Sequence, residues 1–399
     1  MLTDTAKSIL KKNYICDHCL GRQFAQILSG FTNEERGKAI RTLLAMEYAI
    51  KPFDISTSNF YGYDLRKNLK TKQLKCHLCN NLFDDIGRYA KEAEIELKKI
   101  DFETFLVGSR ISSELTKREE HLWEDIGIEY CEPIKSELNR ELGKLIEKAG
   151  RKFDKTNPHM LVILNLKNNK IEIVINPVYI YGRYQKLARG IPQTKWEKYK
   201  ETIEDIIAKP FMKTTKGSEH ALHGMGREDI DARCLDWRPF ILEISNPKSR
   251  KIDLKKTAKE INISKKVKVN FLRFSDKKEV IRLKEAKPDK TYRALAEFDR
   301  GVDNIDSVKK IIGIIKQQTP KRVLHRRADK IRNRRVKSIR WRRIKNNIYE
   351  FVIKAEAGLY VKELITGDNG RTKPSVSEIL KNPSKIKELD VIRIHLKAR

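Results

Sequence analysis

No run of about 18 or more apolar residues occurs in the chain, so the usual signal for a membrane-spanning helix is missing. The first residues, MLTDTAKSILKKNY, lack the long apolar segment of a secretory leader. A soluble, intracellular, cytoplasmic protein is expected. No glycine-rich loop follows an evident strand, which leaves out the phosphate cradle of a nucleotide-type cofactor. Internal repeats and long Gly/Ser linkers are absent as well. Acidic residues are outnumbered: 54 Asp and Glu stand against 85 Lys and Arg, a formal charge of +31. An excess of that size implies a polyanionic partner, most simply nucleic acid, with an anionic membrane surface as the rival. The 399 residues are enough for two or three domains with sizeable cores.

Cysteine is scarce, six in all, yet four of the six fall in two C-x-x-C pairs. ICDHCLGRQF carries Cys16 and Cys19, and KCHLCNN carries Cys76 and Cys79. Four thiolates so paired can close a tetrahedral zinc site, and the residues between the pairs must then fold as an insertion. Disulfides are the competing reading, disfavoured in a cytosolic chain and between cysteines this close in sequence. An all-thiolate shell leaves no open position, so the zinc is expected to be structural. Cys131 and Cys234 have no partner by spacing and read as packed cysteines.

Residues 1–85 are expected to form a zinc-stapled helical module. Thr32 and Glu35 make a capping-box pattern ahead of RGKAIRTLLAMEYAI, whose apolar residues recur at helical spacing. The stretch FYGYDLRKNLKTKQLK mixes tyrosine with basic residues; it reads either as an RNA contact or as a solvated loop. Residues 86–180 read as a small α/β domain. Ile134, Leu138, Leu142, Leu145 and Ile146 mark one helix face, and Gly150 is a plausible stop. LVILNL and IEIVINPVYIY follow as strands, joined by a hairpin at 167–170.

Residues 181–399 make up the remaining and longest segment, which carries the candidate carboxylates described below. YGRYQKLARGIPQTKW (181–196) sets Tyr181, Tyr184 and Trp196 among Arg183, Lys186, Arg189 and Lys195, a mixture suited to stacking bases and neutralising phosphates, or else a packed linker. WEKYKETIEDIIAKPF is expected to be an amphipathic helix, KTYRALAEFD a strand, and SVKKIIGIIKQQ a helix. From Lys321 to Lys345 there are thirteen Lys or Arg and one acid, Asp329. Val336, Ile339, Trp341 and Ile344 suggest that part of this run is a folded strand with a basic face. Asn346-Asn347 turns into YEFVIKAEAGLYVKELITGD, and LDVIRIHLKAR reads as a closing strand.

The stretch with most chemical content is HGMGREDIDARCLDWRPFILEI, residues 223–244. Taken as an extended strand it places Arg227, Asp229, Asp231 and Arg233 on one face beside a tight Gly224–Gly226 turn. A carboxylate next to an arginine stays ionised at neutral pH and can serve as a nucleophile. From charge alone a surface ion-pair ladder is the alternative.

Arg227-Glu228-Asp229 resembles the Arg-x-Asp of several pseudouridine synthase families. HGMGRED, DAR and RPFILEI together, with YGRY to QTKW, KTYRA and GLYVKEL, resemble one of them, the Pus ten family of archaeal and eukaryotic T-loop tRNA pseudouridine synthases. The resemblance covers most of the chain. It implies an α+β fold: a catalytic domain of mixed, mainly antiparallel sheet with flanking helices, preceded by a zinc-stapled, THUMP-like α/β RNA-binding domain. It implies isomerisation of T-loop uridines 54 and 55 (tRNA numbering) to pseudouridine, without organic cofactor. Asp229 takes the nucleophile's place, with Asp231 as runner-up. Tyr292 matches the family's active-site tyrosine, and Lys362 the basic partner of the aspartate, a lysine where some relatives carry arginine. Val361 and Leu389 match pocket walls, and Arg227, Arg183 and Arg189 are expected at the substrate. Cys234-Leu235-Asp236-Trp237 departs from the family pattern, which has a smaller, glycine-bearing turn there. tRNA is the implied partner, and the implied state is monomeric. Two other readings fit parts of the sequence: a non-catalytic zinc-containing RNA-binding or ribosome-assembly protein, and a THUMP-linked RNA methyltransferase.

Overall fold

A computed structural model describes residues 2–65 and 71–396, with Arg326 described in its backbone only. Residues 66–70, part of the tyrosine-and-lysine stretch singled out above, lie outside the described residues. The chain divides into two compact units, residues 1–176 and 177–399.

The first unit contains helices α1 (Leu2–Leu10), α2 (Asp17–Gly21), α3 (Asn33–Ile50), α4 (Ile86–Leu97), α5 (Ser113–Ile126) and α6 (Ile134–Lys148). Its strands are β1 (Thr104–Arg110), β2 (Lys152–Phe153), β3 (Met160–Asn165) and β4 (Lys170–Ile175), in the order β2-β1-β3-β4. β1 is parallel to β2 and β3, and β3 is antiparallel to β4. The capping box is present: Thr32 Oγ1 accepts from Glu35 N at 3.1 Å, and Glu35 Oε2 accepts from Thr32 N at 2.8 Å. α2 and α3 touch through glycine; a Cβ on Gly37 would lie 2.0 Å from the Asp17 carbonyl oxygen. The hairpin between β3 and β4 turns through Asn169 at φ +53°, which asparagine tolerates.

Two apolar cores fill this unit. One joins the cysteine-bearing segments to Ile134 and Leu138 of α6, and the other packs α4 and α6 on the sheet. A division at residue 85 would therefore cut through a shared core. The strand expected to end near 180 is two strands, broken at Asn176–Pro177. The second of them belongs wholly to the next unit.

That unit contains β5 (Val178–Lys186), α7 (Ile203–Thr215), β6 (Glu219–Gly224), β7 (Arg233–Ser245), α8 (Leu254–Asn262), β8 (Val267–Ser275), α9 (Lys277–Glu285) and β9 (Asp289–Phe298). It continues with β10 (Gly313–Gln318), β11 (Ile331–Lys345), β12 (Ile348–Ala355), α10 (Val361–Thr366), β13 (Thr372–Lys373), α11 (Val376–Ile379) and β14 (Ser384–His395). The ten strands form one sheet, ordered β13-β10-β11-β12-β9-β14-β7-β5-β8, with β6 paired to β7. Only β14 with β7 is parallel among its pairings. This is the mixed, mainly antiparallel α+β architecture expected. The basic run does fold in part as a strand: β11 buries Val336 and Ile339 and pairs with β12 across the Asn346-Asn347 turn.

Three local expectations are corrected, and the segment that departs from the family pattern takes a definite shape. Residues 223–244 are not one strand, because a loop over 225–232 interrupts it. Gly226 at φ +71° starts this break, and a turn closed by Ala232 N on the Asp229 carbonyl at 3.0 Å completes it. The helix expected from Trp196 starts only at Ile203, where Thr202 and Asp205 form a capping box; Trp196 and Tyr199 instead pack ring to ring, with centroids 5.4 Å apart. SVKKIIGIIKQQ is a 3-10 turn followed by β10, since Gly313 at φ +139° leaves helical space and Ile314 and Ile315 are β-branched. Cys234–Trp237, which departs from the family pattern, forms the bulged start of β7: Lys186 pairs with Cys234 and Tyr184 with Arg238, so 235–237 oppose a single residue.

Candidate active site

One row across the sheet carries the site. Tyr292 of β9 pairs with Val391 of β14, Val391 with Cys234 of β7, and Cys234 with Lys186 of β5. Directly paired residues point to the same face. The loop 225–232 lies over this row. Lys186, fully buried, donates to the carbonyl of Asp229 at 3.1 Å and of Ile230 at 2.8 Å.

Glu228 is the loop's anchor. Its carboxylate is buried, with Arg238 Nε 3.0 Å from Oε2, and it accepts the Tyr184 hydroxyl at 3.1 Å on each oxygen. Gln193 Nε2 donates to the Tyr184 hydroxyl at 2.7 Å and to the Gly226 carbonyl at 3.1 Å. Arg238 Nη1 donates to the Met225 carbonyl at 2.9 Å. A carboxylate taken out of water costs several kcal/mol, at roughly that order, unless it is paired and hydrogen-bonded; here it is both. Gly226 is required at its place, since its φ is left-handed and a Cβ would sit 3.0 Å from Lys290 Nζ.

With its neighbour so held, Asp229 projects outward. Arg322 Nη1 donates to Oδ1 at 3.1 Å, and Nη2 lies 3.1 Å from Oδ2. Arg322 Nε donates to Glu363 Oε1 at 2.7 Å. Burial alone would make Arg322 easier to deprotonate; Glu363 and Asp229 more than reverse this and hold it charged. Lys362, at the start of α10, lies 3.6 Å from Asp229 but bonds Asp231 at 2.6 and 2.7 Å. Partial burial opposes ionisation of Asp231, and the Lys362 ammonium outweighs it, holding that carboxyl below its ordinary range.

Tyr292 is buried in the same apolar cluster as Val361 and Leu389. Burial pushes its hydroxyl up to about 12, against the pull of Arg238 and with help from Cys234 and Asp229. Lys290, two residues earlier on the same face, is drawn down to about 8 by burial and by repulsion from Arg238.

Asp229, Tyr292, Lys362, Val361 and Leu389 are thus brought together. Arg227 is exposed on the loop itself. The other expected arginines are placed differently. Arg189 donates to the carbonyls of Asp231 and Leu389 at 2.9 and 2.7 Å and to Asp390 at 2.7 Å, so its guanidinium clasps the loop to β14. Arg183 lies on the opposite face of β5, over Phe271. Within YGRYQKLARGIPQTKW, Tyr184 and Lys186 are interior, unlike the RNA-facing role their composition suggested. Sequence reasoning missed Arg322, hidden among the thirteen cations of the basic run, and the Glu228–Arg238–Tyr184–Gln193 cage, whose members are scattered along the chain. His223 sits in β6 and bonds Glu243 at 2.8 Å.

In the first unit Cys16, Cys19, Cys76 and Cys79 converge, with all four Sγ atoms within 4.8 Å of one another. Buried Arg22 donates to Cys19 Sγ at 2.6 Å and to Glu119 at 3.2 Å. Four sulfurs brought together in this way, with a guanidinium bonded to one of them, are a donor set that suits a thiophilic metal. Tetrahedral zinc with Zn–S near 2.3 Å spaces its sulfurs about 3.8 Å apart, and this cluster fits that requirement. Among the described residues no helix is long and apolar enough to cross a membrane.

The candidate site is thus a carboxylate loop that a mixed sheet holds over a buried tyrosine, beside the basic start of α10. The family profile described as "Pus10, C-terminal" matches residues 179–395, and that of the archaeal Pus10 THUMP domain matches residues 89–165. The chain is 39% identical to "tRNA pseudouridine synthase Pus10" of Methanothrix thermoacetophila, over 98% of this chain and 94% of that one. The same-named protein of Pyrococcus furiosus is also 39% identical, over 99% and 98%. The chain belongs to the Pus10 family. A solved Cbf5-Nop10-Gar1 complex is similar over 53% of this chain and 48% of that one, with TM-score 0.32 and 17% identity, too loose a likeness to add to the assignment.

Proposed function

We propose that the protein is a tRNA pseudouridine synthase that isomerises T-loop uridines 54 and 55, with Asp229 as nucleophile. The observation that carries this reading is the Asp229 carboxylate, paired with Arg322 through both oxygens on a loop pinned from beneath by Glu228 and Lys186. The reaction breaks the bond from C1′ to N1, turns the uracil and joins C1′ to C5. The proton lost from C5 is matched by one gained at N1, so atoms balance without redox chemistry or an organic cofactor. Asp229 is the group that meets the nucleoside, and its guanidinium neighbour holds the carboxylate in a fixed orientation. Tyr292 stacks on the flipped base and, holding its proton to high pH, offers a hydroxyl and not a phenolate. Val361 and Leu389 wall the pocket. Lys362 orders Asp231 and adds positive charge beside Asp229, Arg227 contacts phosphate, and Arg322 takes the partner's role expected of Lys362.

By role, the division we favour is a zinc-binding helical part (1–85) that shares its core with α6, a THUMP-like part (86–180) for tRNA whose last residues already begin β5, and the catalytic part (181–399). The four cysteines hold structural zinc. The protein works in the cytoplasm as a monomer, and its excess of positive charge supports tRNA as its partner.

The test is to incubate metal-loaded protein with unmodified tRNA transcript and map pseudouridine by carbodiimide-stop sequencing, beside Asp229→Ala. T-loop stops that vanish in the variant while tRNA binding persists support the reading. Tight binding with no stops from the unaltered protein would overturn it in favour of a non-catalytic RNA-binding protein.

A further inference from the structure

β5 alternates cleanly: Ile180, Tyr184 and Lys186 face the core under the Asp229 loop, whereas Tyr181 and Arg183 face the other way. On that other face lies a cleft of about 1330 Å³, between β5, β8, α9 and the start of β9. Its volume exceeds the few hundred to about 1,000 Å³ typical of small-molecule pockets.

The cleft's wall contains an unusual aromatic. Phe271 stands at φ +52° and is 66% exposed. A bulky side chain in the left-handed region is strained, and exposing it gains nothing for folding. A bulge puts it there. Tyr181 pairs with Arg273 and Arg183 with Asn270, so Phe271 and Leu272 oppose the single residue Gly182. Leu272 packs over Gly182, where a Cβ would lie 2.6 Å from it, and Phe271 is turned outward.

Around it the cleft is cationic. Arg183 lies 5.1 Å from the Phe271 ring and Arg273 4.2 Å from that of Tyr181, two cation–π pairs side by side. The two carboxylates of the lining are already engaged, Glu279 by Arg273 at 2.5 Å and Asp289 by Lys337 at 2.6 Å. Arg282 and Lys287 are exposed on the rim and have no carboxylate partner among the described residues. An exposed aromatic shelf set among unpaired cations is the combination that binds unpaired nucleotides: rings stack on bases while charges neutralise phosphates.

We propose that this cleft is a second RNA site, separate from the Asp229 pocket, which holds an unpaired segment of the substrate with one base on Phe271 and phosphates on Arg183, Arg282 and Lys287. It rests on the reading that the substrate is tRNA. Met225, the first residue of the catalytic loop, also lines the cleft, so RNA bound there adjoins the segment that carries Asp229.

Two variants test it: Phe271→Asn, which keeps a left-handed backbone accessible, and Arg282→Gln with Lys287→Gln. Affinity is read by anisotropy with a fluorescent oligouridylate and with unmodified tRNA transcript. Phe271→Asn is expected to weaken oligouridylate binding about tenfold, as loss of one stacked base does. The double variant is expected to lower the slope of log affinity against log salt by about 1.4, at about 0.7 per phosphate contact on a single strand. Both should raise the tRNA KM while turnover at saturating tRNA stays within about twofold. Oligouridylate affinity unchanged in both variants, or no binding by the unaltered protein, would overturn the proposal and leave Phe271 to a partner of another kind. Turnover lost with binding intact would also overturn it, pointing to a purely structural bulge. If the unaltered protein makes no pseudouridine but the variants still lose RNA affinity, the cleft stands and the proposed reaction falls.

Discussion

Arg322 holds Asp229 through both carboxylate oxygens at 3.1 Å, while Lys362, the basic residue expected there, is 3.6 Å away and committed to Asp231. A bidentate guanidinium both orients a carboxylate and keeps it charged; a point ammonium does less of the first. Arg322→Ala should lower the rate at saturating tRNA about 100-fold, with tRNA affinity changed by less than about threefold. Arg322→Lys should recover only part, and Lys362→Ala should cost about tenfold or less. Single-turnover assays of the three variants decide the matter: equal losses for Lys362→Ala and Arg322→Ala would mean that lysine shares the aspartate in the working enzyme.

The buried pair beneath the loop makes a stability prediction. Glu228→Gln removes the carboxylate next to Arg238, both side chains being at most 1% exposed, and leaves a buried guanidinium uncompensated. Breaking such a pair typically costs about 3–5 kcal/mol. Denaturant unfolding of the variant should show a loss of that order, together with reduced activity at temperatures where the protein remains folded. A loss under about 1 kcal/mol would show that water or a shift of the loop replaces the carboxylate.

Asp390 is the acid-sensitive knot of the second unit. It is 1% exposed and bonds Arg189, Arg233 and Arg293 at 2.7 to 3.0 Å. Burial works against its ionisation, but the guanidinium bonds of Arg233 and Arg293, with the charge of Arg189, hold its carboxyl below the ordinary 3.8. A carboxyl depressed by folding contributes stability that is fully present above its unfolded value and lost as pH falls through its folded one. The protein should therefore lose stability below about pH 4, and Asp390→Asn, already weakened at neutral pH, should lose less over the same range. Arg189→Ala should behave likewise, lowering stability more than tRNA affinity. Melting temperatures between pH 7 and 2.5 check both.

The cysteine cluster predicts metal content. Mass spectrometry of the native protein should find one zinc per chain, and Cys19→Ser should abolish it. Chelation should lower the melting temperature through the first unit's core, which contains Cys19, Cys76 and Cys79. Because zinc takes no part in the reaction in this scheme, chelated protein that stays folded should keep its rate at saturating tRNA and lose affinity instead.

Where pattern and physics are local, the sequence was legible. Thr32 and Glu35 cap α3 because both bonds are made within one turn, and Ile134, Leu138, Leu142 and Ile146 all turn inward because helical spacing puts them on one face. The strand of KTYRALAEFD alternates buried and half-buried residues as expected, whereas that of the basic run buries Val336 and Ile339 on either side of a bulge. Legibility failed where two signals competed. Ile311 to Ile315 fit a helix by hydrophobicity but contain a glycine and β-branched neighbours, and the sheet edge won. In RYQKLAR, Tyr184 and Lys186, which read as part of an RNA face, were drawn inside because Glu228 and the buried loop carbonyls needed donors.

By itself the sequence determined the charge, the paired cysteines, the loop glycines and the strings that mark the family, since these are properties of residue identity and short spacing. Only the tertiary structure decided which cation meets which carboxylate. Arg322 is 93 residues from Asp229 and Asp390 is 157 from Arg233, and pairings over such distances depend on strand order and register. Register along one row of the sheet, Tyr292–Val391–Cys234–Lys186, set the tyrosine and the loop's anchoring lysine on a common face. A one-residue slip of any strand in that row would turn its side chain to the other side, and no local pattern in the chain records that choice.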